Sequence, residues 1–350
     1  MSVHLVSKTA GVSVATVSRV INHSPNVAPE TVALVRRAMA KLGYVPPAPE
    51  RRSRRTPVNA QARGVHKNNV ALLFPDTSNR ALKTSLSARL LHGVGEVLRA
   101  KAINMIVTTL QPDAAAPPCI RDGQIDGVIV RASEFAEPLL PQLTDAPCVW
   151  LLEGHQHRQG DRIVDDNAEV ARLAVRHLKT LGCERVAVIN PQGLHASYRS
   201  RCDWFGIEAP RAGLSVQAYV RHDEPEVSLE STQVWEPKLA DLVDRFAAST
   251  PRATGLFVPC PDDMITFVYR RLQARGVKVG TDVKLVVCSY DPPRLASLDP
   301  TIAHVDIQPE AMGRAAVELL LWRLRHANEP PRRVMVAPVL VPGAAPAALL

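Results

Sequence analysis

The sequence predicts a small N-terminal all-α helix-turn-helix domain followed by a larger, two-lobed α/β domain built on parallel sheets. Three observations predict it. A basic surplus is confined to the first 67 residues, a broken helical pattern fills residues 2–44, and from Asn68 onward β-branched runs alternate with amphipathic helical stretches. At 350 residues, 46% hydrophobic and 22% charged, the chain has the length and composition for more than one packed core.

The charge distribution says more than its total of +8. Residues 1–67 hold eleven Lys or Arg against Glu30 and Glu50, whereas the rest of the chain holds 31 basic and 32 acidic residues. A surplus segregated in this way fits a polyanionic partner, nucleic acid first. No apolar run reaches the ~20 residues that span a bilayer, and the start Met1-Ser2-Val3-His4 lacks the pattern of a secretory leader. The six cysteines stand singly with no C-x-x-C pair, which reads as free thiols in a reducing cytoplasm rather than a disulfide or metal framework.

The first helical pattern is short. Ser2 is placed to cap a helix carrying Val3 and Val6 inward, and Ala10-Gly11-Val12 reads as a tight turn in which Gly11 takes a positive φ. Ser13 then caps a second helix by accepting a backbone N–H bond. Its apolar residues Val17, Val20 and Ile21 follow helical spacing and pack inward, which leaves Ala15, Thr16, Arg19 and Asn22 on the opposite face. Pro29 suits the first turn of a third helix whose Val32, Val35, Met39 and Leu42 close the core, and Gly43 ends it. A second helix with a small, polar and basic outer face meets the needs of major-groove reading. Arg19 is expected to fork onto guanine, Val14 or Ala15 to touch a thymine methyl, and Ser13, Thr16, Ser18 and Thr31 to bind phosphates.

Residues 47–67 lack apolar periodicity and are rich in Pro and Arg, which marks a linker. Beyond it, strands are predicted at Val70–Phe74, Asn104–Thr109, Gly127–Arg131, Cys148–Leu152, Arg185–Asn190, Ser215–Val220, Gly255–Pro259, Val283–Ser289, Thr301–Ile307 and Val334–Leu340. Helices are predicted at Leu82–Ala100, Ala168–Leu181, Glu236–Ala248, Met264–Arg275 and Pro309–Arg325. Alternation of this kind implies parallel sheets with helices on both faces, and its length implies two lobes with a ligand cleft at the strands' carboxyl ends. No Gly-rich phosphate loop, H-E-x-x-H or G-x-S-x-G occurs, so catalysis is not expected and no cofactor is called for. His155 and His157 read as parts of a polar loop, and Asp165-Asp166-Asn167 as the capped start of a helix.

The run AGVSVATVSRVIN, the later V, ET, V and A positions and LGYVP closely resemble the reader of the lactose/galactose repressor family of bacterial regulators. VALLFPDTSN, IDGVIV, VDDNAEVARLAVRHLKTLGCERVAVI, DVKLVVCSYD and IQPEAMGRAAVELLL follow in that family's order and spacing. The resemblance implies a homodimer on a pseudo-palindromic double-stranded DNA operator, with a periplasmic-binding-protein-like core holding a sugar-like small-molecule effector. The expected division is 1–46 for the DNA reader, 47–67 for the linker and 68–345 for the core. Within the core, the first lobe is expected to take about 68–165 and 297–325, and the second about 166–296 and 326–345.

Two departures from the family pattern stand out. Ser53 falls where the family's minor-groove Leu would lie, and Arg51, Arg52, Arg54 and Arg55 surround it, so a basic arm to phosphates or an A·T-rich minor groove is expected instead of a wedge. In the cleft, Arg201 aligns with the family's ligand-gripping Arg, Asp291 with a ligand-facing Asp, and Asp262 with the Asp of an Asn-Asp pair whose Asn is Pro261 here. Arg80 stands in the segment that lines the cleft mouth and would favour an anionic ligand. Trp150 and Trp204 offer rings for stacking or for the core.

Overall fold

The computed structural model describes residues 3–21, 27–44, 65–75, 82, 84–110, 115–131, 143, 146–152, 160–222, 232–259, 262–289 and 291–343. The chain divides into two compact units, Met1–Asn59 and Ala60–Leu350.

The first unit holds helices α1 (Val3–Ala10), α2 (Val14–Ile21) and α3 (Pro29–Lys41). Val6, Val17, Val20, Val35 and Ala38 are buried together, with Val12, Val32, Met39, Leu42 and Tyr44 packed around them. The turn before α2 forms because Gly11 takes φ +67°, which lets Val12 N donate to Ser7 O at 3.2 Å. Ser13 caps α2, its Oγ accepting from Thr16 N at 3.1 Å.

The second unit carries two six-stranded sheets. The first has the order β11-β5-β4-β3-β1-β2 and the second β12-β10-β9-β8-β6-β7. The strands are β1 (Asn69–Pro75), β2 (Asn104–Leu110), β3 (Gly127–Arg131), β4 (Cys148–Leu151), β5 (Asp161–Asp165), β6 (Arg185–Asn190), β7 (Ser215–Val220), β8 (Gly255–Val258), β9 (Lys284–Cys288), β10 (Ala303–Asp306), β11 (Arg333–Val336) and β12 (Val339–Val341). Among them every ladder is parallel except β10 with β12. The helices are α4 (Ser85–Ala100), α5 (Pro118–Arg121), α6 (Asn167–Thr180), α7 (Ala196–Arg211), α8 (Thr232–Ala248), α9 (Asp262–Ala274), α10 (Pro292–Ala296) and α11 (Pro309–Arg323). Val70, Leu72 and Phe74 of the first sheet pack under Leu90, Val94 and Leu98 of α4 and Met312, Ala316 and Leu320 of α11. Leu242 and Phe246 of α8 and Ile265 and Leu272 of α9 cover one face of the second sheet.

The lobes differ from the expected partition in two places. β10 lies in the second sheet, paired with β9, although the sequence reading puts 297–325 in the first lobe. β11 lies on the edge of the first sheet, paired with β5, although the same reading puts 326–345 in the second. The cause is that the chain crosses between lobes three times: after β5, after β10, and between β11 and β12. The single strand predicted at Val334–Leu340 is therefore two, broken at Ala337-Pro338, where the proline has no N–H to donate to a ladder. Strand β5, helix α7 and the short helices α5 and α10 are additions to the elements that periodicity predicts.

Candidate functional site

On the first unit, the exposed side of α2 is the candidate nucleic-acid interface. Arg19 is exposed, while Val17 and Val20 on the same helix are buried. Ser13 and Thr16 hold each other, their hydroxyls 2.9 Å apart, which fixes the start of α2. Val14 is half-buried in the first turn of α2, and Thr31 is half-buried in the first turn of α3. Ala15 and Ser18 lie within α2, but their side chains are outside the described residues, as are Asn22, Arg51, Arg52, Arg54 and Arg55.

On the second unit, polar groups gather at the carboxyl ends of the strands, where parallel sheets place their ligands. The centre is Arg201 of α7, 1% exposed. Its Nε donates to Asn167 Oδ1 at 2.8 Å, one terminal nitrogen to Asp165 Oδ2 at 2.7 Å, and the other to the Pro259 carbonyl at 3.2 Å. A guanidinium so buried is tolerable only because it is paired. The acceptors that these bonds give Arg201 are the chain's own, drawn from β5, α6 and the end of β8. Asp166 caps α6 as expected, accepting from Glu169 N at 2.9 Å, but Asp165 beside it is the ion-pair partner of Arg201.

Around this pair, His195 stacks on Tyr198 with ring centroids 3.8 Å apart, and the Arg201 guanidinium lies 5.8 Å from the Tyr198 ring centre. Loss of solvent, together with the positive charges of Arg201 and Arg131, pushes the His195 imidazole down to about 3, so it is neutral at any working pH. The Cys202 thiol, next to Arg201 in sequence, is pushed up to about 12 chiefly by burial and is inert as a nucleophile. Asp291 is held in place rather than open. It accepts from Arg294 N at 3.2 Å, capping α10, and from Ser85 Oγ of the other lobe at 3.0 Å.

Trp150 is 3% exposed and packs in a core cluster with Leu73, Val128 and Val130, which gives it a packing position rather than an open one. Trp204 is exposed on α7. Asp262 begins α9, with its side chain outside the described residues, and Arg80, His155 and His157 also lie outside them. Among the described residues, no group of His, Cys, Asp or Glu is placed to hold a metal ion, and no helix is long and apolar enough to cross a membrane. Sequence reading missed Asp165, Asn167 and Ser85 as site residues. The doubled Asp165-Asp166 was a usable signal, since a helix start needs only one cap.

Residues 4–47 match the model of bacterial regulatory proteins of the lacI family, and residues 175–345 match that of a periplasmic binding protein-like domain. The chain thus joins a lacI-family helix-turn-helix domain to a periplasmic-binding-protein-like domain. It is 27% identical over 352 residues to the HTH-type transcriptional regulator CelR of Thermobifida fusca, covering 97% of each chain. It is 25% identical over 349 residues to the HTH-type transcriptional repressor PurR of Aliivibrio salmonicida, covering 96% of each. The same fold occurs in a CelR–cellobiose complex, with TM-score 0.61 at 24% identity and 99% of each chain covered. It occurs also in a lac repressor dimer bound to operator and the anti-inducer ONPF, with TM-score 0.64 at 19% identity and 99% of each chain covered. With a lacI-family helix-turn-helix domain at residues 4–47, the chain is a DNA-binding transcriptional regulator and not an enzyme.

Proposed function

We propose that this regulator is a bacterial, cytoplasmic repressor that binds a pseudo-palindromic operator as a homodimer and is controlled by a small molecule held between its core lobes. The observation that carries the DNA half is α2. Its Val17 and Val20 are buried, its start is fixed by the Ser13 cap, and Arg19 is left exposed on its last turn. An exposed guanidinium on a short capped helix is suited to the bidentate contact with guanine O6 and N7, which discriminates by about 1–3 kcal/mol. Thr16 and Thr31, each at a helix start, are suited to flanking phosphates.

For the effector, a neutral hydroxyl-bearing molecule is supported over an anion. Arg201 already spends donors on Asn167, Asp165 and Pro259. The other carboxylate oxygen, Asp165 Oδ1, is buried with no hydrogen-bond partner, an acceptor that suits a ligand O–H. Selection of bound fragments from random duplex DNA tests the operator reading: an inverted repeat must be enriched, and enrichment of a single unrepeated motif rejects the dimeric mode. Calorimetry with cellobiose, ribose and ribose 5-phosphate tests the effector reading, which fails if only the phosphate binds.

A further inference from the structure

One face of α4 reaches across to the second lobe on two successive turns. Ser85 Oγ donates to Asp291 Oδ2 at 3.0 Å, and Arg89 donates to Asp306 Oδ2 at 2.8 Å. Asp306 ends β10 in the second sheet, and Glu310 opens α11, which packs on the first sheet. Arg89 therefore clasps both banks of one lobe crossing, because it also forks onto Glu310 with two bonds of 2.6 Å. The crossing itself is tightly turned. Gln308 sits at φ +61°, a region that non-glycine residues rarely adopt, and its N–H donates to Asp306 Oδ1 at 2.7 Å.

His304 stands two residues before Asp306 on β10, on the same face of the strand. It is 5% exposed, and its Nε2 is buried with no hydrogen-bond partner. The charges acting on it are Asp306 on its own strand and Arg89 on α4. Its ladder neighbours, Val287 on β9 and Val341 on β12, are uncharged, and Asp291 and Arg294 at α10 are paired with each other. Glu310 of α11 is bound to Arg89.

We infer that Arg89, Asp306 and Glu310 form a proton-sensitive latch between the lobes, closed while His304 is neutral and released when His304 takes a proton. A charged imidazole cannot stay dry, and the carboxylate whose charge acts on it is the one Arg89 holds. Protonation therefore both admits water and draws Asp306 away from Arg89. The direction of titration agrees: burial foremost, with Arg89, lowers the His304 pKa against the opposing pulls of Asp306 and of the Ile302 backbone. A group depressed in the closed form favours closure above its open-form pKa of about 6.5, and that preference is lost as pH falls below it. Lowering the pKa by one changes the open-to-closed ratio about tenfold.

Hydrogen exchange on the full-length protein tests this, at pH 7.5 and 5.5 with intrinsic rates matched, read on peptides spanning 85–91 and 303–310 and referenced to β6. In the wild type those two peptides must lose protection at pH 5.5 while β6 keeps its own. His304→Gln must retain protection at both pH values, and Arg89→Met must lose it at both. Equal loss in His304→Gln and wild type overturns the latch. Absence of any loss in the wild type overturns it without need of a variant, so a misfolded His304→Gln protein does not shelter the idea. The outcome is independent of operator or effector binding, which are measured separately.

Discussion

Removing the Asp165 side chain leaves the Arg201 guanidinium buried without its counter-charge, which makes Asp165→Ala the sharpest test of how the core lobes are joined. Both side chains are almost wholly buried, and their contact is 2.7 Å. Breaking a pair of this kind by deleting one partner costs about 3–5 kcal/mol. Arg201 keeps Asn167 and the Pro259 carbonyl, which places the loss at the lower end, about 3 kcal/mol. At about 2 °C per kcal/mol for a large domain, the thermal midpoint of the core falls by roughly 6 °C. Urea and thermal unfolding by circular dichroism would measure it, alongside Arg201→Ala and the double variant. The double variant must cost clearly less than the two single losses added together, because it removes both buried charges. Additive losses, or a loss below about 1 kcal/mol for Asp165→Ala, refute the buried-pair reasoning.

Three further outcomes are expected. Gly93→Ala places a Cβ 2.1 Å from the Glu310 carbonyl oxygen, where α4 and α11 cross, so it should destabilise the core by about 1–3 kcal/mol or more, and an unchanged unfolding midpoint contradicts the crossing. Asp126 accepts backbone N–H bonds from His66, Lys67 and Asn69, tying the chain to β3 just where it enters the core. Asp126→Ala should cost about 1–3 kcal/mol and expose residues 65–69 to faster hydrogen exchange, whereas unchanged exchange would remove that anchor. Replacing Arg51, Arg52, Arg54 and Arg55 by Ala should flatten the salt dependence of DNA binding by about 0.9 in log–log slope for each phosphate no longer neutralised, and an unaltered slope rejects the basic arm.

Most of the architecture was legible because its signals are local. The capped, Gly-turned helices of the reader and most of the strands are written in periodicity and turn chemistry within a few residues. What escaped depends on partners far along the chain. β5 is five residues long with Asp at both ends, which argues against a buried strand until Asp161 is seen paired with Arg323 and Asp165 with Arg201. α7 was hidden because Gly206 and Pro210 interrupt it and because one of its inward residues is an arginine. The lobe partition was misjudged because nothing local in β10 or β11 says which sheet it joins, and only the pairing of β10 with β9 and of β11 with β5 sorts them. In the site, Arg201 and Asp291 stood out by resemblance. Their actual bonds, to Asp165 and to Ser85, join segments that no local pattern connects.

The most direct test of DNA reading through α2 is selection of bound duplexes by an Arg19→Ala protein whose fold and dimerisation match the wild type. Preference must relax at one symmetric pair of guanine positions while phosphate-driven, salt-dependent binding persists. Recovery of the wild-type motif with undiminished preference would show that the α2 surface does not read the bases.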